Sequence, residues 1–447
     1  MVAPLTTWLR RTNGSTSRNT STWCACMRSP QPTILVHKDN AVSVIRVAPL
    51  KENTSGAVRA GERVFLSAGN AVRLDGSVSG LGDPAAQTHA ALNQLETALE
   101  AAGGSLRSIT KLTTCIVDRG YRTAVYAAIA ERLKEVHPVS TGLVVAGLPR
   151  PELIVQIDAE AAIPSAPARR VRPYAFESWH GQGFAWQGSM VVATDDEFFV
   201  RGQTGGRLDH SGTVGLARTV SDAGAQADLA LQNLTTLLDE AGSSLDDVCK
   251  LTVYISDRAY RAAVYPMIGK HFRDVRPVST GIITSAFARP EVLFELDVQA
   301  LRKSGGRAHE RLRPYHSNAA RYGHHGQKLE CEFCMTVKAG RRVILRGQTG
   351  VGLDEVMHGA GDVAGQTERA MDNVEVLLAE AGAKLSDVVK ATIYVTDRAF
   401  LDPTNAIVLR RLSGVRPAFN AVIVKGLASP ELLMEVDVTA VLPGDGR

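Results

Sequence analysis

The chain has 447 residues, 45% of them hydrophobic, with 50 Lys and Arg against 46 Asp and Glu. No run approaches the roughly 18 apolar residues that a spanning helix needs, so no membrane partner is expected. The formal charge of +4 sits at one end: residues 1–38 hold Arg10, Arg11, Arg18, Arg28 and Lys38 and no acid, so the remainder sums to 4 − 5 = −1 and offers no broad basic footprint for nucleic acid.

Residues 1–32 are rich in Ser, Thr and Arg without a long apolar core, which suits a disordered extension or an organelle-targeting segment. The six cysteines do not recur as a disulfide framework, which favours a reduced compartment, and the expected location is cytoplasmic. Beyond residue 32 the chain repeats itself. Lys111, Lys250 and Lys390 are spaced by 139 and 140 residues, as are Asp118, Asp257 and Asp397, and Glu152, Glu291 and Glu431. A unit of that length folds alone. The expected domains are 33–166, 167–304 and 305–447, arranged as a monomeric pseudo-trimer.

The second copy reads most clearly. Glu197 to Arg201 is a predicted strand followed by the turn Gly202-Gln-Thr-Gly205. Leu231, Leu234 and Leu238 recur at helical spacing in a helix from about Asp222 to Gly242, and in the first copy Asp83-Pro84 and Gly103 bracket the same helix. In Cys249 to Ser256, Cys249, Leu251, Val253 and Ile255 face one way and Lys250, Thr252 and Tyr254 the other. Asp257 and its equivalents cap a second helix, and two strands, Val278 to Ser285 and Val292 to Leu301, finish the unit. The order predicts an α+β domain, two helices on one face of a mixed sheet, with the polar face of each sheet turned toward a common axis and clefts between copies.

At Arg201-Gly-Gln-Thr-Gly205, Lys250-Leu-Thr-Val-Tyr-Ile-Ser-Asp257, Arg276-Pro-Val-Ser279 and Glu291 to Asp297, with their counterparts in the third copy, the chain resembles the RidA (YjgF/YER057c/UK114) family. The resemblance implies chorismate-mutase-like α+β subunits that form trimers, and hydrolysis of reactive enamines and imines without metal or cofactor. It also implies an arginine two residues after the strand-opening proline as carboxylate clamp, and a glutamate on the last strand that places water. Here the arginine is replaced by Ser140, Ser279 and Phe419, while the glutamate persists as Glu295 and Glu435 and becomes Gln156 in the first copy.

Glu295 and Glu435 are therefore the expected catalytic residues. Arg201 and Arg346, at a position where the first copy has Ser67, are expected to take over anion binding or, alternatively, to pair with Asp297 and Asp437. Ser140, Ser279, Tyr254, Tyr394 and Ser67 complete the expected substrate contacts. The first copy, lacking both arginine and glutamate and carrying Cys115 in place of the tyrosine, reads as the divergent one, with one or two competent clefts in all. Cys331-Glu-Phe-Cys334, near His324 and His325, has zinc-like spacing, but a strand would send its thiols to opposite faces and no metal is expected. Lys250 and its equivalents read as ion-paired lysines rather than Schiff-base formers. The leading function is a deaminase of small enamines and imines. The alternatives are a small-molecule binding protein without catalysis, or a biosynthetic enzyme whose substrate lacks the amino-acid carboxylate. Ribonuclease activity is disfavoured by the near-neutral repeats.

Overall fold

The computed structural model describes residues 34–36, 44–47, 53–175, 187–316 and 329–444. The reading of residues 1–32 and the pair His324-His325 lie outside them. Among the described residues each copy builds a mixed sheet with two α-helices. In the third copy the strand order is Glu310–His316, Glu332–Ala339, Arg342–Leu345, Met434–Val441, Val388–Val395, Ala418–Ile423, and only the last pair runs parallel.

The helices form where the sequence supplies caps and an apolar stripe. Val220–Glu240 starts at Thr219, whose hydroxyl accepts from the Asp222 N–H while Asp222 accepts from the Thr219 N–H. This capping box satisfies two amides that would otherwise lack partners. Leu231, Leu234 and Leu238 are fully buried against the sheet. Asp83 caps Pro84–Ala101 through Ala85 and Ala86. Asp118, Asp257 and Asp397 each cap a short turn ahead of the second helix.

One expectation changes on the middle strand. Between Val248 and Lys250 the register against Phe294–Leu301 slips by a residue, and the same slip precedes Lys111 and Lys390. A bulge rotates the extra residue off the regular alternation. Cys249 therefore leaves the helix-facing core, where Leu251, Val253 and Ile255 lie, and packs with Cys334 and Ile344 of the third copy.

The polar faces meet as three cyclic sets of contacts, each joining first copy with second, second with third and third with first. Lys111 pairs with Asp297, Lys250 with Asp437 at 2.7 Å, and Lys390 with Asp158 at 2.7 Å. The Arg119 side chain donates to the Phe287 carbonyl at 2.9 Å, Arg258 to Leu427 at 3.0 Å, and Arg398 to Leu148 at 3.1 Å. Backbone bonds add a third set: Ser285 to Val144, Lys425 to Ile283, and Ala146 to Ile423. These charges and amides lie between the copies, so each copy completes the polar satisfaction of its neighbour.

Candidate active site in the seams between copies

Two of the three seams open into a cleft of the same design. In the first, Arg122 begins the helix Arg122–Leu133, and Tyr126 follows one turn later on the same face. Ser140 and Gly142 lie on the strand Val139–Val144. From the second copy come Arg201, just past Glu197–Val200, and Glu295 on Phe294–Leu301. The second cleft repeats this with Arg261, Tyr265, Ser279 and Gly281 from the second copy and Arg346 and Glu435 from the third. The clefts are partly open to solvent, with volumes of about 30 and 40 Å³.

Each glutamate is held tightly. Glu295 and Glu435 are 6% and 4% exposed. Gly202 and Gly347 lie so close that a Cβ there would strike the Glu295 or Glu435 carboxyl, and would also stand 2.8 or 2.9 Å from the hydroxyl of Thr141 or Thr280 in the preceding copy. Burial pushes the Glu295 carboxyl up to about 7, opposed by the guanidiniums of Arg201 and Arg122, by Lys111 and by a hydrogen bond from the Gly142 N–H. Burial pushes Glu435 up to about 8, with the Asp437 carboxylate adding to the rise and Arg346, Lys250 and Arg261 opposing it.

The arginines are aligned by aromatic rings. Arg122 lies over the Tyr126 ring at 4.8 Å and Arg261 over Tyr265 at 4.4 Å. Arg201 lies over Tyr174 at 5.5 Å and Arg346 over Tyr315 at 5.4 Å. Stacking on a ring face fixes the plane of a guanidinium. The aspartates that might have claimed Arg201 and Arg346, Asp297 and Asp437, are paired with Lys111 and Lys250 instead.

The third seam, between the third copy and the first, has Leu401, Asn405 and Phe419 where the open clefts have Arg, Tyr and Ser, and Ser67 and Gln156 where they have Arg and Glu. It is stitched shut. Ser67 donates to the Ser55 carbonyl at 2.6 Å and accepts from the Phe419 N–H at 2.8 Å, and Gln156 donates to the Ala421 carbonyl at 3.0 Å. Asn420 accepts from the Ala68 N–H at 2.6 Å. Divergence therefore belongs to a seam and not to the first copy, which supplies half of the first cleft.

Of the residues singled out in the sequence, Arg201, Ser140 and Glu295 meet in one cleft, and Arg346, Ser279 and Glu435 in the other. Ser67 is corrected: its hydroxyl is engaged on both sides in the closed seam. Tyr254 and Tyr394 are corrected as well, because they line a separate axial cavity of about 110 Å³ together with Cys115 and the three lysines. Strand alternation places them on the polar face, but that face spans both axis and cleft. Burial pushes the Cys115, Cys249 and Cys334 thiols up to about 12, far from nucleophilic. Cys331 and Cys334 pack into different apolar clusters, and among the described residues no group of three or more His, Cys, Asp or Glu is placed to hold a metal.

Sequence reading missed Arg122 and Arg261 with Tyr126 and Tyr265. The signal was present: Arg and Tyr at i, i+4 in the first two copies become Leu401 and Asn405 in the third, the copy that also replaces Ser by Phe419.

The family model described as endoribonuclease L-PSP matches this chain three times, over residues 46–163, 189–302 and 327–442. A RutC family protein of Pyrococcus abyssi is 31% identical over 108 residues, 24% of this chain and 84% of its own length. Protein DfrA of Myxococcus xanthus is 34% identical over 105 residues, 24% of this chain and 79% of its own. Among solved structures, a member of the YjgF/YER057c/UK114 family from Mycobacterium tuberculosis is 28% identical, covering 30% of this chain and 100% of its own, with a TM-score of 0.24. A chorismatase, 16% identical, covers 75% of this chain and 93% of its own with a TM-score of 0.48.

Proposed function

The chain belongs to the RidA (YjgF/YER057c/UK114) family as three tandem copies, and on that premise we propose that it is a hydrolytic deaminase of small, carboxylate-bearing enamines and imines, working in two of its three seams. One observation carries the reading: each open cleft sets a single buried carboxyl against two ring-stacked guanidiniums contributed by opposite copies.

The guanidinium pair receives the substrate carboxylate, the part that the family assigns to an arginine where this chain has Ser140 and Ser279. An enamine first takes a proton at its β-carbon and gives one up from nitrogen, becoming the imine. Water held by the Glu295 or Glu435 carboxylate then adds to the imine carbon, giving a proton to the glutamate as the C=N electron pair moves to nitrogen. The glutamic acid returns that proton to nitrogen. The carbinolamine collapses, the C–N bond breaks, and a 2-oxo acid and ammonia leave. A carboxyl poised near neutrality suits both transfers, because base and conjugate acid are then populated together.

The test couples the protein to an amino-acid oxidase that releases imines, with semicarbazide as the intercepting reagent. A deaminase lowers semicarbazone formation, and the double variant Glu295→Gln, Glu435→Gln loses the effect. Unchanged semicarbazone across several amino acids sinks the proposal and leaves a binding protein.

A further inference from the structure

The two open clefts are not copies of each other. Where the first has Arg289 in its wall, the second has Ser429, whose hydroxyl is turned onto Glu431. Arg289 is held by Glu291 at 3.1 Å, donates also to the Thr213 hydroxyl, and remains about a third exposed, so the first cleft carries three guanidiniums to the second's two.

The opposite wall differs too. Tyr174 is paired across its strands with Gly188, and Tyr315, at the same register, with Phe333. Gly188 leaves the Tyr174 ring lying against the backbone, where a Cβ would stand 3.0 Å from its hydroxyl. Phe333 instead fills that space and lines the second cleft, 6.0 Å from the Tyr315 ring and 6.2 Å from Tyr265 in an edge-to-face contact. Among the described residues the first cleft is thus the more cationic, with Tyr126 and Phe287 as its aromatic lining, and the second the more aromatic, with Tyr265, Tyr315 and Phe333.

Resting on the reading that each arginine pair holds a carboxylate, we propose that the clefts divide substrates by side chain. The first takes a small dianion whose second acidic group meets Arg289, and the second takes a monoanion whose apolar substituent lies on Phe333. A guanidinium placed for a second carboxylate discriminates strongly against an uncharged group, and an aromatic wall does the reverse. A homotrimer of one subunit cannot make this division, since all its clefts are alike.

Binding of stable 2-oxo acids tests this without turnover. The full chain is titrated by calorimetry with 2-oxoglutarate and with 4-methyl-2-oxopentanoate. Arg289→Ser is expected to weaken 2-oxoglutarate at least tenfold and leave 4-methyl-2-oxopentanoate unchanged; Arg346→Ala is expected to do the opposite. Ser429→Arg, which sets the first cleft's third arginine at the matching, buried position of the second, should add a second equivalent of 2-oxoglutarate. Equal weakening of both probes in either variant overturns the division while the proposed deaminase stands. Failure of both probes to bind overturns the division together with the carboxylate clamp. Divided binding in a protein that consumes no imine upholds the division and removes the deaminase.

Discussion

Lys390 Nζ stands 2.7 Å from Asp158 Oδ1, though the two are 232 positions apart along the chain. This pair closes a ring that Lys111 with Asp297 and Lys250 with Asp437 begin. The ring lies directly behind the clefts: Asp297 also accepts from the Thr141 hydroxyl at 3.1 Å, and that hydroxyl adjoins Gly202 and the Glu295 carboxyl.

Removing one partner of such a pair strands the other's charge in a buried site. Lys250→Met is expected to destabilise the protein by about 3–5 kcal/mol, and the double variant Lys250→Met, Asp437→Leu to recover most of that loss. Denaturant unfolding of the single and double variants decides it; equal losses in both would mean that the pair is not the cause.

Gly202→Ala places a methyl group between Glu295 and Thr141. Overpacking there should cost about 1–3 kcal/mol of stability and displace the carboxyl, with at least a tenfold loss of turnover in a protein whose second cleft has been silenced by Glu435→Gln. Full turnover in that background would contradict the packing described for Glu295.

Folding raises the Glu435 carboxyl from its ordinary value of 4.5 to about 8. The native state then holds a proton that the unfolded chain has lost, so this group's contribution to stability declines as pH climbs from about 4.5 to about 8 and is flat above. Glu435→Gln lacks that decline. Its stability relative to the parent should rise between pH 5 and pH 9 by an amount on the order of a few kcal/mol. Parallel pH curves for the two proteins would show that Glu435 is not buried as a neutral acid.

Water addition needs the ionised glutamate. With Glu435→Gln, kcat/KM from the first cleft alone should rise with pH through a midpoint near 7; with Glu295→Gln, the second cleft alone should rise through about 8. Stopped assays of imine consumption across pH 5.5 to 9 check both limbs, and a rate that falls through these values would assign the glutamates to proton donation at the slow step.

Ser67→Ala removes a hydroxyl that seals the third seam and leaves the Phe419 N–H without its acceptor. The expected loss is about 1–3 kcal/mol of stability, with substrate turnover unchanged. A drop in turnover at unchanged stability would return Ser67 to the list of substrate contacts.

Much of this was legible in the chain. The caps at Asp83 and Asp257 and the leucine stripe of Val220–Glu240 follow from local rules, and alternation put Glu295 and Asp297 on one polar face. Alternation could not say which parts of that face meet the axis and which meet a neighbour, and so Tyr254 and Tyr394 were assigned to the wrong cavity. The bulge at Cys249 was hidden because an extra residue in a strand has no composition of its own. Arg122 and Arg261 carry no signal within their own copy, since their purpose appears only when the following copy brings its glutamate opposite them.

The closed seam has a consequence for how this chain can change over time. In an assembly of identical subunits every substitution falls on all three sites at once, so a trial that harms one harms all. Here a substitution at Arg289 or Phe333 alters one site, and the unused seam keeps the ring shut whatever becomes of the other two. One site can drift toward a new substrate while its twin preserves the old one, inside a single gene.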